Sequence, residues 1–446
     1  MSQNKNLKLG WIFVLTLVFL NVLLVFIIPQ KPASVEKISF PHSPIDAQIK
    51  ITFSQAMNKA SVQDNFKIEP PIEGNFSWSG RTLVYTPLEN LAFDKTYNLE
   101  IGSKTVSDNG ISFAKNWEDT FKTGPLSFFF ISTEKESYGQ LQQYLVKEKK
   151  LIPFSPKGEV IRDFDYDKNT RKIVALVDGT NEILIIDSGS QKNQKIPPFG
   201  NGDEYIHRVK WLPYENSILL SQSNLEDEAE TKLLRYDLEE DGYTVLEKGS
   251  TLVYEFFPTP DGRGVLFINP SGALVIKSLL DHSATLVTED FLQHFGFSEY
   301  GGYLLYTIST PNGIFDLANS LIIQNSLGEK DIILQNANIT IDQASVSPDE
   351  KKIIFLHKPQ IGDPLLNDEN DRLAEMTLED KNISLLTPEN FPVTEPKYSP
   401  DGSIISFINS DSSGWNIMQN KLNGGLIYLS DMISTGIHGT NIEWVY

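Results

Sequence analysis

The sequence predicts an all-β chain: a β-sandwich followed by a seven-bladed β-propeller closed by the C-terminal strand, behind one N-terminal transmembrane helix. Three observations carry this. Residues 9–28, "LGWIFVLTLVFLNVLLVFII", are 20 residues without a charge. From Val35 to Gly124 apolar residues fall two apart between turn formers. From residue 125 onward a strand-turn-strand signature returns every 40 to 50 residues.

The apolar segment spans about 30 Å as a helix, the thickness of a hydrocarbon core. Sixteen of its residues are Leu, Ile, Val or Phe, so insertion is favourable despite Asn21. Pro29-Gln30-Lys31-Pro32 follows it, with no small-residue cleavage site, so the segment reads as an uncleaved anchor. Lys5 and Lys8 place residues 1–8 in the cytoplasm. Residues 29–35 then form a linker, and everything beyond them is extracytoplasmic, giving a single-pass protein of the cell membrane.

The chain has 446 residues, no cysteine and a net charge of −20; the first 30 residues carry only Lys5 and Lys8, so the remainder carries −22. Disulfides, thiolate metal sites and cysteine nucleophiles are excluded together. A surface this acidic repels phosphate backbones, which excludes nucleic acid as an expected partner.

Over residues 36–124, Ile49, Ile51 and Phe53, then Phe76 and Trp78, Leu83 and Tyr85, and Tyr97, Leu99 and Ile101 alternate as half-buried strands do. Pro70-Pro71, Ser79-Gly80 and Asp108-Asn109-Gly110 separate them, and about seven short strands in 90 residues describe a sandwich. "IKITFSQAMNKASVQDNFKI" (49–68), "TLVYTPLENLAFDKTYNLEIG" (82–102) and "TFKTG" (120–124) resemble the bacterial Ig-like domain of surface-layer and other envelope proteins. The resemblance implies a spacer or adhesive module with no catalytic residues.

Residues 125–446 repeat one hairpin. "VSPDEKKIIFL" (346–356), "YSPDGSIISFI" (398–408) and "PTPDGRGVLFI" (258–268) are its clearest copies. The reference residues Tyr166, Trp211, Pro258, Phe297, Val346 and Tyr398 lie 45, 47, 39, 49 and 52 apart, and the following apolar runs begin 7, 7, 7, 7, 7 and 6 residues later. A fixed offset inside a variable period marks one tight turn per repeat. Two further strands follow each hairpin: a third, as in "EILIID" (182–187), then a fourth, as in "TVLEK" (244–248), "ISLLT" (383–387) and "LIYLS" (426–430). Four antiparallel strands per repeat make a propeller blade. Residues 126–133, 140–148 and 150–155 supply strands two to four of a further blade. Its first strand is expected from the terminal "GTNIEWVY" (439–446), where Trp444 continues the spacing. The Ser-Pro-Asp-Gly turns resemble the TolB-like, WD40-like propeller repeat, also seen in prolyl-oligopeptidase-type enzymes.

No nucleophile elbow, phosphate loop or His-Glu-x-x-His pair is present, and the chain leaves no room for a hydrolase domain after the propeller. "DFDYDKN" (163–169) opens like a calcium loop, but Lys168 and Val174 stand where glycine and a bidentate glutamate are needed. No metal and no cofactor are expected. The two longest insertions, 221–232 and 357–372, fall between second and third strands and so decorate one face. Their carboxylates Glu226, Asp227, Glu228 and Glu230, with Asp363, Asp368, Glu369 and Asp371, are the candidate partner-binding residues. The expected function is a non-enzymatic, membrane-anchored binding or scaffold protein of the bacterial envelope that meets a protein or a glycan. The alternatives are a glycan-active enzyme using inward-facing carboxylates of the propeller channel, and a purely structural envelope component.

Overall fold

The computed structural model describes Thr16 and residues 31–445, apart from 42, 46, 197–203, 225–230, 250–254, 291, 299–301, 310–318, 326–327, 336–338, 360–371, 389–390, 410–424 and 431. The proposed anchor at 9–28 lies outside the described residues but for Thr16. Among the described residues, no helix is long and apolar enough to cross a membrane. The chain divides into two compact units, Met1–Gly124 and Pro125–Tyr446.

In the first unit, Val35–Ser39, Ile49–Phe53, Thr82–Pro87 and Gly74–Ser79 form one antiparallel sheet in that spatial order, and Phe66–Glu69, Thr96–Ile101 and Trp117–Lys122 form a second. Their inner faces share one core around Ile49, Ile51, Phe53, Leu83, Leu99 and Ile101. One element departs from the all-β expectation: Lys59–Asn65 is a helix, N-capped by Asn58, whose side chain accepts the Ser61 N–H at 3.0 Å. Only Val62 of this helix is buried, so it carries no apolar period for a sequence reading to detect.

The second unit is a succession of antiparallel sheets, five of them running through the chain in order, which is propeller architecture. Sheet 1 is Ile161–Asp167, Lys172–Val177, Ile183–Asp187 and Asn193–Ile196. Sheet 2 is Glu204–Trp211, Ser217–Asn224, Thr231–Asp237 and Gly242–Lys248. Sheet 3 is Phe256–Pro258, Gly264–Ile268, Leu274–Ser278 and Ala284–Thr288. Sheet 4 is Leu292–Phe297, Tyr303–Ile308, Ser320–Asn325 and Lys330–Gln335. Sheet 5 is Ile339–Val346, Lys352–Pro359, Arg372–Thr377 and Ile383–Leu385. The sixth sheet has seven strands: Val393–Tyr398, Ile405–Asn409, Gly425–Leu429, Ile433–Trp444, Ser127–Ser132, Leu141–Leu145 and Lys150–Pro153.

The hairpin register is uniform. Tyr166, Trp211, Pro258, Phe297, Val346 and Tyr398 sit opposite Ile173, Ile218, Val265, Leu304, Ile353 and Ile405. The offset is therefore 7 in all six, which corrects the expected 6 in the last repeat. A second correction concerns "LIYLS": Gly425–Leu429 is the third strand of its group, not the fourth. The fourth is the first half of Ile433–Trp444, which pairs with Gly425–Leu429, while its second half pairs with Ser127–Ser132. One strand thus serves both halves of the seven-stranded sheet.

No sheet buries its own faces, and each apolar cluster straddles two sheets. Leu176, Ile183 and Ile185 of sheet 1 pack with Val209, Trp211 and Leu220 of sheet 2. Leu219 and Leu233 of sheet 2 pack with Phe256, Val265 and Phe267 of sheet 3, and equivalent clusters join sheets 3 and 4, 4 and 5, and 5 and 6. Phe129, Ile131 and Phe154 of the sixth sheet pack on Phe164, Ile173 and Leu184 of sheet 1. Turns lock to their neighbours as well: a Cβ on Gly262 would stand 2.2 Å from the Pro213 carbonyl oxygen, and φ there is +70°. Only glycine fits this close approach.

Candidate functional site

The first strands of successive sheets carry polar side chains at fixed places. Three residues before each reference position stand Asp163, Arg208, Glu255, His294, Gln343, Glu395 and, three before Trp444, Asn441. One residue before it stand Asp165, Lys210, Phe257, Gly296, Ser345, Lys397 and Glu443. Between them lie Phe164, Val209, Phe256, Phe295, Ala344, Pro396 and Ile442, all buried. Strand alternation sends this middle set between sheets and the other two toward the first strands of neighbouring sheets, as two layers.

A register irregularity precedes or includes the upper position in six of these strands: at Ile161/Asp163, Ile206/Arg208, Leu292/His294, Asp342/Ser345, Thr394/Lys397 and Thr440/Glu443. Bulges re-aim side chains. In the last three the upper residue itself is left-handed, with φ of 45° at Gln343, 52° at Glu395 and 56° at Asn441. Such backbone costs about 1–3 kcal/mol per residue and persists only where its surroundings fix it.

The surroundings do so through hydrogen bonds between sheets. Gln343 Oε1 accepts the Glu395 N–H at 2.7 Å. The Glu395 carboxylate accepts the Ile442 N–H at 3.1 Å and the Thr440 hydroxyl at 2.9 Å. Asn441 Nδ2 donates to Asp163 at 3.4 Å, and Asp163 accepts the Val209 N–H at 3.0 Å and pairs with Arg208 at 3.3 Å. The upper layer is thus bonded continuously from sheet 5 through sheet 6 and sheet 1 to sheet 2.

Below it lie four charges. Lys397 pairs with Glu443 at 2.7 Å, and Lys210 with Asp165 at 2.9 Å; Asp165 also accepts the Trp211 N–H at 2.9 Å. These side chains are only 18–26% exposed, so they are not the weak pairs of a solvated surface. Burial opposes the charge on Lys210, but Asp165, Glu443 and Asp163 hold its ammonium above the usual lysine range. Burial likewise opposes ionisation of Glu443, and Lys397 and Lys210 hold it below the usual carboxylate range. Asp165 is pushed up by burial, with Lys210 opposing the rise.

Sheets 3 to 5 differ. Their lower layer is Phe257, Gly296 and Ser345, without charge. Their upper groups include Glu255 and His294, with Asp342 one residue before Gln343. Among the described residues, neither Glu255 nor Asp342 takes part in an ion pair. Burial raises the Asp342 carboxyl, with His294 opposing and Glu255 adding to the rise.

Beside the two layers, Arg162 lies over the Tyr205 ring at 4.0 Å and donates to Asp178 at 3.3 Å. His207 Nε2 and Ser223 Oγ are 2.8 Å apart, and burial together with Arg162 pushes the imidazole down to about 4.

The eight insertion carboxylates, Glu226, Asp227, Glu228, Glu230, Asp363, Asp368, Glu369 and Asp371, lie outside the described residues. The calcium-like run is taken apart by the fold: Asp163 and Asp165 reach to sheet 2, while Asp167 caps its own turn through the Asn169 and Thr170 N–H groups, both at 3.1 Å. Among the described residues no group of three or more His, Cys, Asp or Glu is placed to hold a metal. The layered polar positions escaped the sequence reading, although their constant distance from the reference residue was available as a signal.

Residues 32–123 match the bacterial Ig-like domain family. No curated protein matches the chain. Among solved structures, the chain is similar to TolB from Acinetobacter baumannii at 12% identity and TM-score 0.40, covering 85% of this chain and 82% of that one. It is similar to an oligogalacturonate lyase from Vibrio parahaemolyticus at 10% identity and TM-score 0.45, covering 60% and 80%. It is also similar to the β-propeller domain of Cps50 (Swd1) from Myceliophteria thermophila at 11% identity and TM-score 0.44, covering 61% and 88%.

Proposed function

We propose that this chain is a non-enzymatic scaffold of the bacterial cell envelope: residues 9–28 anchor it in the membrane, the Ig-like unit acts as a spacer, and residues 125–446 form a closed seven-bladed propeller that binds a protein or glycan partner. The single observation that carries the reading is the use made of the inward carboxylates. Asp163 and Asp165 accept backbone N–H groups of the next sheet, and Glu395 accepts one from the terminal strand of its own seven-stranded sheet, so they stiffen the ring instead of waiting for a substrate. A rigid ring with long loops on one face is a binding architecture. Counted as blades, sheets 1 to 5 give five and the seven-stranded sheet gives two that share the strand Ile433–Trp444. The eight acidic residues fall in the connections 225–230 and 360–371 between second and third strands, shorter than the expected 221–232 and 357–372 because strand pairing takes up their ends, and the connection 410–424 of the same kind is longer than either.

The test is crosslinking of the full chain in its own membranes, followed by recovery in detergent and identification of what is attached. A specific protein or polysaccharide, lost when residues 359–370 are deleted, supports the reading. Recovery of the chain alone, or a partner that survives the deletion undiminished, contradicts the proposed binding face.

A further inference from the structure

Between sheets 1 and 2, at the end where third strands turn into fourth, the apolar packing stops short of the surface. Val174 and Ile185 of sheet 1 pack toward sheet 2, and two residues nearer the turns their rows end in Lys172 and Asp187. Gln194, opposite Ile185, ends the row of Ile196. Sheet 2 brings Tyr236 and Leu238, with Asn216 and Asp241 from its turns. A cleft of about 380 Å³ remains, floored by Ile185, Ile196, Tyr236 and Leu238.

Its polar rim is only partly used. Asp167 and Asp187, the register partners of Lys172, accept from their own turns, Asp187 from the Ser190 N–H at 2.6 Å and hydroxyl at 2.7 Å. Among the described residues Lys172 therefore has no ion pair, and Gln194 no side-chain hydrogen bond. Asn216 donates to Glu239 at 3.3 Å, and Asp241 accepts the Tyr236 hydroxyl. Lys195, at the edge, is held by Glu159 at 2.7 Å and Glu182 at 3.0 Å. Tyr243 is the cross-strand partner of Tyr236, so its ring stands on the same face beside the cleft, and it is 60% exposed.

We propose that this cleft binds one neutral pyranose unit of a glycan. Its volume lies at the lower end of small-ligand sites, which run from roughly 300 to 1,000 Å³. A pyranose carries C–H groups on its face and hydroxyls around its edge. The exposed Tyr243 ring offers an apolar surface to the first. The rim serves the second: Lys172 only donates, Asp241 only accepts, and the amides of Gln194 and Asn216 do both, as each hydroxyl does. Charge selects hydroxyls over a carboxylate, because Asp167, Asp187 and Asp241 already surround Lys172. An acidic sugar would meet net negative charge. The cleft lies at the end of the sheets away from the connections between second and third strands, so it is separate from the binding face proposed above.

The probes are the methyl pyranosides of glucose, galactose, mannose and N-acetylglucosamine, with galacturonate as the acidic counterpart. Each is added to the full chain in a phosphocholine detergent and followed by saturation-transfer NMR. Saturable transfer to at least one neutral pyranoside is expected. Binding should weaken about tenfold in Tyr243→Ala and in Gln194→Ala, and hold in Tyr243→Phe, which keeps the ring. Both side chains are exposed, so these variants test binding and not folding. Leu280→Ala, on an exposed turn of sheet 3, should bind as the unaltered chain does. Transfer to none of the four, transfer to galacturonate alone, or equal binding in Tyr243→Ala and Leu280→Ala overturns the proposal. Deletion of residues 359–370 separates the two sites: sugar binding should survive it, and sugar binding lost with it would place the sugar on the other face and overturn this cleft.

Discussion

Trp444 lies opposite Phe128, with ring centroids 5.2 Å apart and planes at 71°, and its indole N–H donates to Ser406 at 3.0 Å. Its side chain is only 1% exposed. The contact joins two strands more than 300 residues apart in sequence, so its loss falls on the joint between the ends of the second unit. Trp444→Ala should cost about 3–5 kcal/mol, measured by denaturant unfolding. Trp444→Phe should recover part of this and leave the Ser406 hydroxyl short of a donor.

Gly439 marks the point where the terminal strand passes from one half of its sheet to the other. A Cβ there would stand 2.4 Å from the Phe130 ring and 3.0 Å from the Ile131 carbonyl oxygen. Gly439→Ala should therefore destabilise the unit by about 1–3 kcal/mol through overpacking. Gly272→Ala is the comparison: φ there is +86° but a Cβ would meet nothing within 4 Å, so only the backbone term remains. A smaller loss at 439 than at 272 would contradict the close approach.

Lys210 answers two buried carboxylates, Asp165 and Glu443. Lys210→Met leaves Asp165 without its ion-pair partner, while Glu443 keeps Lys397, and should cost about 3–5 kcal/mol. Asp165→Asn combined with Lys210→Met should recover much of that loss, and a double-mutant cycle reads the coupling directly. Additive losses would show that the pair does not act as one.

Acid should weaken the second unit through two groups of different type. Glu443 is held below its ordinary value, so its stabilisation is present above about 4.3, the unfolded value, and is lost as pH falls through the folded one. His207 is held at about 4 against an ordinary 6.5. Its neutral form stabilises the fold above 6.5, and that contribution disappears as pH falls toward 4. Asp165, raised by burial, has the opposite sign, favouring the fold in acid and losing that contribution as pH rises through its folded value. His207→Gln should flatten the decline in melting temperature between pH 6.5 and 4, and Glu443→Gln the decline at lower pH. An unchanged slope in either variant counts against its assignment.

The strands and their hairpin register were legible because turn chemistry and a two-residue period repeat in every copy; Pro258 and Val346 carry the offset of 7 that Tyr398 shares in the structure. The helix at Lys59–Asn65 was not, since a single buried residue, Val62, leaves no period. Gly425–Leu429 was placed one strand too late because loop lengths vary between repeats, and a strand count cannot see that Ile433–Trp444 pairs on both its halves. The polar layers were invisible for a different reason. In the sequence Asp163 belongs to the calcium-like run and Lys210 and Glu395 to no motif, and only the fold brings other strands' N–H groups and charges within 3.1 Å of them.

Removal of residues 439–446 tests the central claim most directly, because it takes away the part of the terminal strand that meets Ser127–Ser132, and of its pairing with Gly425–Leu429 only that of Gly439 with Gly425. Calorimetry of the full chain should show the transition of the second unit lowered markedly, with that of the Ig-like unit unmoved. An unchanged transition for the second unit would contradict a ring closed by its own two ends.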